Sequence, residues 1–385
     1  MRVSTFIILA FVCIQTQKAQ NINISVFGEK EINSIVVNIK QGKYLLKKGK
    51  ETLGEYKKGN IFHISRFGNE LEIRDKRNFI GNFIEIELIC TSGSGILNVK
   101  PVNPVAEGRE YDDNLIMTCT DKQIRIINKL DLEKYIASVL EAEGGNHAPS
   151  EYYKAQAILI RTFAIKNMLK HAEEGFNLCD AVHCQAFKGR STSNSLIQYA
   201  TQSTSGKVLI DNESVVIMSP FHSNCGGETS TAGQVWLKDL PYLQSVKDPF
   251  CLRSSNASWA QSINRKDWIN FINSSKSNTI NYENYNFTFH SPHRTKFVLI
   301  NGININLRTV RETFHLKSAF FSVKDTGEEI IISGRGYGHG VGMCQQGAME
   351  MAAVGYTCLD ILHFYFHDVK IADYHEIELH RFKPE

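Results

Sequence analysis

Alternation of apolar and polar residues marks the first hundred residues of the chain. Apolar positions recur at about every second residue in Asn60–Arg74 and Phe83–Cys90, and a further apolar segment runs from Ile32 to Ile39. A period of two is typical of strands with one buried face. Turn-forming residues such as Gly68 and Gly93 lie between these segments. The pattern predicts a small β-rich region over residues 20–104, with no chemical motif.

The pattern changes to a helical period after about residue 125. A short helix is predicted from Leu130 through Leu140, and a long one from about Glu151 to Lys170 with Ser150 as its N-cap. The long helix is apolar on most of its circumference, so we expect it to be buried. Strand patterns return after it. The sequence predicts an α+β fold, a mixed β-sheet core with a buried central helix over residues 105–385, preceded by the β-rich region.

The first residues look like a secretory signal peptide. Arg2 precedes nine consecutive apolar residues, Phe6 to Ile14, and small or polar residues follow up to Ala19. The apolar run is too short to span a bilayer. We expect cleavage after Ala19, export from the cell (to the periplasm, the cell envelope or the medium), and no membrane span in the mature chain.

Composition limits the classes of function. The 385 residues are 42% hydrophobic, enough for a sizeable core, and the net charge of +3 is too small to predict nucleic-acid binding. Cleavage after Ala19 would leave eight of the nine cysteines. Export permits disulfides, and the same residues can also bind metal.

Two acidic residues at the end of the short helix form the first candidate site. Glu141 and Glu143 precede the loop Gly144-Gly145. Residues two apart on a helix diverge by roughly 200°, so both carboxylates cannot face one substrate bond while they are helical. Either only one of them is catalytic or the second lies beyond the helix. A solvated acidic helix end is the alternative, and the spacing alone favours it.

Cysteine and histidine cluster in a second segment. Cys179, His183 and Cys184 lie within six residues, and His171 precedes them at the end of the long helix. Sulfur and imidazole donors at this spacing are typical of tetrahedral zinc sites. A Cys179–Cys184 disulfide is the alternative. If all four residues bind zinc, no coordination position remains for substrate, so the predicted role is structural.

Polar residues follow an apolar strand in the third cluster. His222, Ser223, Asn224 and Thr229 surround a glycine pair. These side chains suit hydrogen bonds to sugar hydroxyls, although an ordinary polar turn fits equally well. The surroundings of Ser223 lack the pattern of a hydrolase nucleophile.

Glycines dominate the fourth cluster. Five of them alternate with other residues from Gly334 to Gly342, around Tyr337 and His339, before a helix starting near Gln345. The spacing does not match a phosphate-binding loop. His339 could orient a carboxylate or bind substrate, and a structural glycine hairpin is the alternative.

These clusters, in this order, resemble the stage II sporulation protein D family, which includes amidase enhancers. Further segments share the resemblance, which covers about residues 105–370: Leu132–Ile136, Lys154–Ala157, Arg161–Ala164, Val235-Trp236, Pro241–Leu243 and the positions Arg311, Leu316 and Ser318. Departures are Gly144-Gly145, where many members have a Met-Pro-like pair, and Cys225 and Cys344, where many have Ser.

The resemblance implies a lytic transglycosylase that cleaves the MurNAc–GlcNAc bonds of peptidoglycan glycan strands and leaves 1,6-anhydro-muramic acid ends. It implies that Glu143 is the catalytic acid/base and that Glu141 is a bystander. Zinc would be bound by Cys179, His183 and Cys184, with His171 as the fourth ligand. The residues expected to bind substrate are His222, Ser223, Asn224, Thr229, Tyr337, His339 and Gln345.

Because Cys225 and Cys251 are unusual in the family and the chain is expected to be exported, we also predict a disulfide between them, with Cys344–Cys358 as a weaker second pair.

Two other functions stay open. The protein could be a non-catalytic wall-binding protein that stimulates an amidase or another cell-wall hydrolase. A zinc metallohydrolase would need an open metal position and fits least well.

Overall fold

A computed structural model describes residues 20–76, 78–192, 194–236, 238–274, 285–300 and 302–377. The predicted signal peptide, residues 1–19, lies outside these ranges. None of the described helices is long and apolar enough to cross a membrane.

In the described part of the chain, twelve strands precede the first helix, and ten more alternate with eight α-helices. The strands are β1 Asn21–Val26, β2 Ser34–Gln41, β3 Lys43–Lys48, β4 Glu51–Lys57, β5 Ile61–Phe67, β6 Glu70–Asp75, β7 Asn78–Phe83, β8 Glu85–Cys90, β9 Ile96–Asn103, β10 Arg109–Asp112, β11 Asn114–Cys119, β12 Ile124–Asp131, β13 Leu178–Cys179, β14 Lys207–Ile210, β15 Phe221–His222, β16 Ser258–Asn264, β17 Phe297–Ile300, β18 Ile303–Asn306, β19 Phe321–Asp325, β20 Glu329–Arg335, β21 Met343–Cys344 and β22 Lys370–Asp373. The helices are α1 Leu132–Gly144, α2 Ser150–Lys166, α3 Ser195–Ser203, α4 Ala232–Val235, α5 Arg265–Ser274, α6 Leu307–Thr313, α7 Gln345–Ala353 and α8 Cys358–Tyr365.

The first twelve strands, together with β13, form two large sheets. One has the order β13-β1-β12-β11-β8-β3-β4 and the other the order β10-β9-β2-β5-β6-β7. The period of two places Ile86 and Leu88 of β8 in the core while Glu85 and Glu87 turn outward. Apolar side chains of both sheets belong to one hydrophobic core, which extends to α1 and α2.

Hydrogen-bonded ladders cross the predicted domain boundary between residues 104 and 105. Strand β9 pairs with β10, and β1 lies between β12 and β13. The first strand therefore supports the segment that carries the Cys/His cluster. The boundary itself stays a prediction.

Helix α2 is the predicted buried central helix, and the α+β fold class is confirmed. Ser150 is its first residue rather than its N-cap, and the helix ends at Lys166 rather than Lys170. Asn167 terminates it, since its side-chain amide donates to the carbonyl of Phe163. Helix α1, capped by the Asp131 carboxylate, runs past the predicted Leu140 end to Gly144, so Glu143 lies in its last turn.

A buried ion pair joins α2 to α1. The guanidinium of Arg161, fully buried, contacts the Glu133 carboxylate through Nε at 2.8 Å and through Nη2 at 2.5 Å. We expect Glu133→Gln to lower the free energy of unfolding by about 3 kcal/mol or more, because it leaves a buried guanidinium without its counter-charge. Urea unfolding would measure this.

The exposed pair between Arg308 and Glu312 provides the control, since Glu312→Gln should change stability by less than about 1 kcal/mol. Equal losses in the two variants would contradict the assignment of the Arg161–Glu133 pair as a buried structural bridge.

A second hydrophobic cluster lies around the three-stranded sheet β16-β20-β19, with Trp268 fully buried beneath it. Strand β20 leads into the glycine-rich segment, which ends in β21. Strand β21 pairs in parallel with β15, bringing Met343 opposite Phe221. This pairing joins the third and fourth sequence clusters at one place.

Candidate functional site

A cleft of about 830 Å³ lies where the ends of α1 and α2 meet the Cys/His segment and the segment Met218–Phe221. Glu143 lines it from α1, and Phe163, Lys166 and Lys170 line it from the end of α2 and the turn that follows. Other lining residues are His183, Cys184, Gln185, Met218, Phe221, Trp236, Arg308 and His339. Glu143 is the only carboxylate among the described residues that line the cleft.

Glu143 is half-buried and held at both its side chain and its backbone. Its Oε1 accepts a hydrogen bond of 3.0 Å from the backbone N–H of Ala186. Its carbonyl accepts another of 3.0 Å from the side-chain amide of Gln345, the first residue of α7. Within the described part of the chain, Oε2 has no hydrogen-bond partner. One carboxylate oxygen is therefore anchored and the other is available to a ligand.

Glu141 points elsewhere. Its carboxylate accepts hydrogen bonds from Ser191 Oγ at 2.5 Å and from the backbone N–H of Thr192 at 3.0 Å. The expected divergence of the two side chains is thus present, and Glu141 holds the segment around residues 191–192 rather than lining the cleft.

The four predicted metal ligands come together beside the cleft. His171, Cys179, His183 and Cys184 each offer a ligand atom, and these atoms all lie within 4.8 Å of one another. Cys184 Sγ is 3.5 Å from His171 Nε2, and His183 Nδ1 is 3.7 Å from both sulfurs. The other ring nitrogen of His171 lies 2.5 Å from Glu174, which fixes the ring. Both cysteines are free, so the alternative Cys179–Cys184 disulfide is not formed.

His339 and Trp236 form the far wall, and the buried His222 packs against His339 without lining the cleft. The His339 ring lies 5.4 Å from that of His222 and 5.7 Å from that of Trp236. His339 Nε2 is 3.0 Å from the Phe221 carbonyl, and its Nδ1 accepts the Val341 N–H at 3.1 Å. These partners suit the neutral ring with its hydrogen on Nε2. Burial lowers the pKa of His339 to about 4, and burial also holds the pKa of His222 well below its usual range.

These histidines predict an acid-sensitive fold. Since the unfolded chain binds protons near pH 6.5 and folded His339 only near pH 4, stability should fall as pH drops between these values. One such group adds a slope of at most about 1.4 kcal/mol per pH unit. We expect His339→Gln to reduce the slope of unfolding free energy against pH in this window, measured by denaturant titrations. An unchanged slope would contradict the buried neutral state of His339.

Of the residues expected to bind substrate, only His339 lines the cleft itself. Asn224 is fully buried and binds Ser254 and Gln346, and Thr229 is buried against Val246. Both side chains brace loops behind the cleft.

The remaining predicted substrate-binding residues lie around these loops. His222 is buried, and its Nε2 has no hydrogen-bond partner in the described part of the chain. Ser223 Oγ accepts a hydrogen bond from Asn256, and Tyr337 is exposed. Gln345 reaches Glu143 through the backbone contact given above. Sugar binding by these residues stays a prediction.

Several cleft residues were not singled out from the sequence. Four of them recur with the helical spacing i, i+3, i+4, i+7: Phe163, Lys166, Asn167 and Lys170. This spacing was the signal in the sequence that these side chains lie on one face near the end of α2. Arg308 comes from α6 and Trp236 from the turn after α4, and no local pattern connects them to Glu143. Trp236, Arg308 and His339 also line an adjacent cavity of about 240 Å³ that contains Arg294, Lys296 and Arg311. The cleft therefore adjoins a cavity whose lining is mostly basic and includes one carboxylate, that of Glu312.

The predicted disulfides are wrong. Cys225 and Cys251 are free, with their sulfurs 3.3 Å apart. Cys344 lies beside these two instead of pairing with Cys358, whose backbone N–H binds Glu151. The chain thus gathers three buried thiols at one point without linking them.

Comparison with known proteins agrees with the resemblance. A family model described as stage II sporulation protein matches residues 120–210. Stage II sporulation protein D of Bacillus subtilis is 31% identical over 267 residues, which are 64% of this chain and 76% of that protein. The chain belongs to the stage II sporulation protein D family. The segment matched by the family model includes Glu143 and all four residues of the Cys/His cluster.

Two further proteins are similar to this chain. An uncharacterized protein of Brachyspira hyodysenteriae is 30% identical over 295 residues, 72% of this chain and 76% of that protein. The amidase enhancer of Bacillus subtilis is 28% identical over 277 residues, 58% of this chain and 38% of the enhancer.

Proposed function

We propose that this protein is an exported lytic transglycosylase that cleaves the MurNAc–GlcNAc bonds of peptidoglycan glycan strands, with Glu143 as its single acid/base. The observation that carries the proposal is the lone carboxylate of the cleft. Glycoside hydrolases usually need two carboxyl groups, about 5–9.5 Å apart. Among the described residues that line this cleft, Glu143 has no acidic partner.

One carboxyl group suffices for a transglycosylase because no water is consumed. The Glu143 carboxylic acid donates its proton to the glycosidic oxygen as the bond to the muramyl anomeric carbon breaks. The resulting carboxylate takes the proton of the muramyl 6-hydroxyl as that oxygen attacks the same carbon. The glutamate ends protonated, and the product carries a 1,6-anhydro ring. The Ala186 N–H on Oε1 orients the carboxyl group and leaves Oε2 for the transfer.

The lining of the cleft suits an anionic sugar chain. Trp236 and Phe221 offer aromatic surfaces for sugar rings. Lys166, Lys170 and Arg308 provide positive charge that would attract the carboxylates of muramyl groups.

We also propose that His171, Cys179, His183 and Cys184 bind zinc. Two thiolates and two imidazoles form a complete tetrahedral set, which suits zinc and leaves no position for substrate. Metal bound there would hold the segment that contributes the Ala186 N–H to Glu143, two residues after Cys184. The metal would therefore support the site without taking part in the chemistry.

A non-catalytic role is the second candidate, favoured by the similarity to an amidase enhancer. In that case the cleft would grip glycan and Glu143 would only accept hydrogen bonds from it. Mass spectrometry of products from purified glycan strands, incubated with this protein alone, separates the two functions. Anhydro-muramic ends support the transglycosylase. Intact strands, together with stimulation of an added amidase, would overturn the transglycosylase proposal and support the non-catalytic role.

A further inference from the structure

Three cysteines and an aspartate meet behind the cleft, away from the Cys/His cluster. The sulfurs of Cys225, Cys251 and Cys344 and a carboxylate oxygen of Asp248 all lie within 4.8 Å of one another. All four residues have no exposed surface. They come from the loop after β15, from the turn that precedes β16, and from β21, so the tertiary fold rather than a local motif assembles them.

We infer that Cys225, Asp248, Cys251 and Cys344 form a second metal site, one for a thiolate-preferring divalent ion of the zinc type. Cys225 Sγ lies 3.3 Å from Cys251 Sγ and 3.1 Å from Asp248 Oδ2. A tetrahedral ion with bonds of about 2.3 Å to sulfur and 2.0 Å to oxygen needs separations of about 3.8 and 3.5 Å. Shifts of about half an ångström would therefore open the cluster to that geometry.

Hydrogen-bond donors already point at the sulfurs. Cys344 Sγ accepts the N–H groups of Cys225 at 3.2 Å and of Gly347 at 3.4 Å. The backbone N–H groups of Gly226 and Gly227 also face the Cys251 sulfur. A neutral thiol is a weak acceptor, whereas thiolates bound to metal are stabilised by such outer contacts.

The carboxylate is oriented in the same way. Asp248 Oδ1 accepts the N–H of Phe250 at 2.9 Å, and Oδ2 accepts the hydroxyl of Tyr365 at 3.0 Å. A Cβ atom on Gly347 would lie 2.3 Å from both Oδ2 and the Tyr365 hydroxyl. Only glycine at that position lets α7 approach the carboxylate so closely.

An ion would also provide the counter-charge that ionised ligands need. In this buried position a carboxylate and thiolates would be costly unless they were paired with a cation. The nearby guanidinium of Arg294 directs its hydrogen bonds to the carbonyls of Cys225 and Glu228 and to Ser230, not to the sulfurs. A divalent ion among the four ligand atoms would neutralise part of this charge.

Such a site would fix the wall of the cleft. Cys344 is the N-cap of α7, and the next residue is Gln345, which holds the Glu143 carbonyl. Metal at the second site would therefore tie the loop after β15 to the helix that anchors Glu143.

The experiment counts metal ions in the full chain and its variants. With zinc supplied, native mass spectrometry of the wild-type protein should show two bound ions. Cys251→Ser should lose one and retain the ion of the Cys/His cluster, while Cys184→Ser should show the reverse. Asp248→Asn keeps one oxygen to accept the Phe250 N–H, and its amide can donate to the Tyr365 hydroxyl, but it removes the second carboxylate oxygen and the negative charge. It should weaken binding at the second site at least tenfold in chelator competition. Cys90→Ser, outside both clusters, should keep both ions.

Cobalt gives a second readout that does not depend on a variant's folding. Cobalt titrated into the wild-type protein should fill two sites, and the absorption from sulfur to cobalt should continue to grow with the second equivalent. The inference is overturned if the wild-type protein binds only the ion that Cys184→Ser removes. A Cys225–Cys251 disulfide in the peptide map of freshly purified protein would do the same.

Discussion

Glu143→Gln should abolish nearly all cleavage of glycan strands. The amide keeps the size of the side chain and can still accept the Ala186 N–H, but it cannot donate and recover a proton. General acid–base catalysis typically contributes about 10²–10⁴-fold, and here one group would serve both halves of the reaction. We expect at least a 10²-fold loss in turnover with glycan binding and thermal stability unchanged. Release of anhydro-muramic products from purified strands measures the effect.

Glu141→Gln is the matched control, because it makes the same change two residues away on the same helix. Its carboxylate binds Ser191 and Thr192 outside the cleft, so activity should stay within a few-fold of wild type. Full activity in a folded Glu143→Gln protein would end the assignment. So would products whose muramic acid ends are all reducing, since these result from attack by water.

Cys184→Ser should cause the largest loss of stability. If the Cys/His cluster binds zinc, removing one of two thiolates should release the ion, and loss of a structural metal belongs to the changes that cost about 4 kcal/mol or more. Because Ala186 follows two residues later, activity should fall as well. Thermal unfolding with and without a chelator, together with metal analysis, measures both effects.

Cys90→Ser serves as the control, since Cys90 lies in β8, outside either cysteine cluster. It should keep the metal content and change stability little. Two results together would contradict the metal assignment. The wild-type protein would contain no zinc after purification with zinc supplied, and its melting temperature would not respond to a chelator.

Local patterns in the sequence were sufficient for much of the fold. The alternation in β5 and β8 predicted strands because one face of each is buried, and the near-continuous apolar surface of α2 predicted a central helix. The predicted helix ends differ from the observed ones. Asn167 stops α2 early, whereas α1 continues to Gly144 because its last turn is stabilised by contacts made with distant residues, such as Gln345.

The sequence by itself determined the chemistry available to the protein: the paired glutamates, the Cys/His cluster and the glycine segments that resemble the family. The resemblance had already implied Glu143 rather than Glu141, but only the tertiary structure showed the cleft that Glu143 faces and that Trp236 and Arg308 share it. It alone showed that Cys225, Cys251 and Cys344 gather around Asp248 instead of pairing as disulfides. The physical reason is the sequence separation of the residues in contact. Periodicity and spacing report contacts within a few residues, whereas these groupings join segments separated by many tens of residues, whose meeting depends on how the sheets and helices pack.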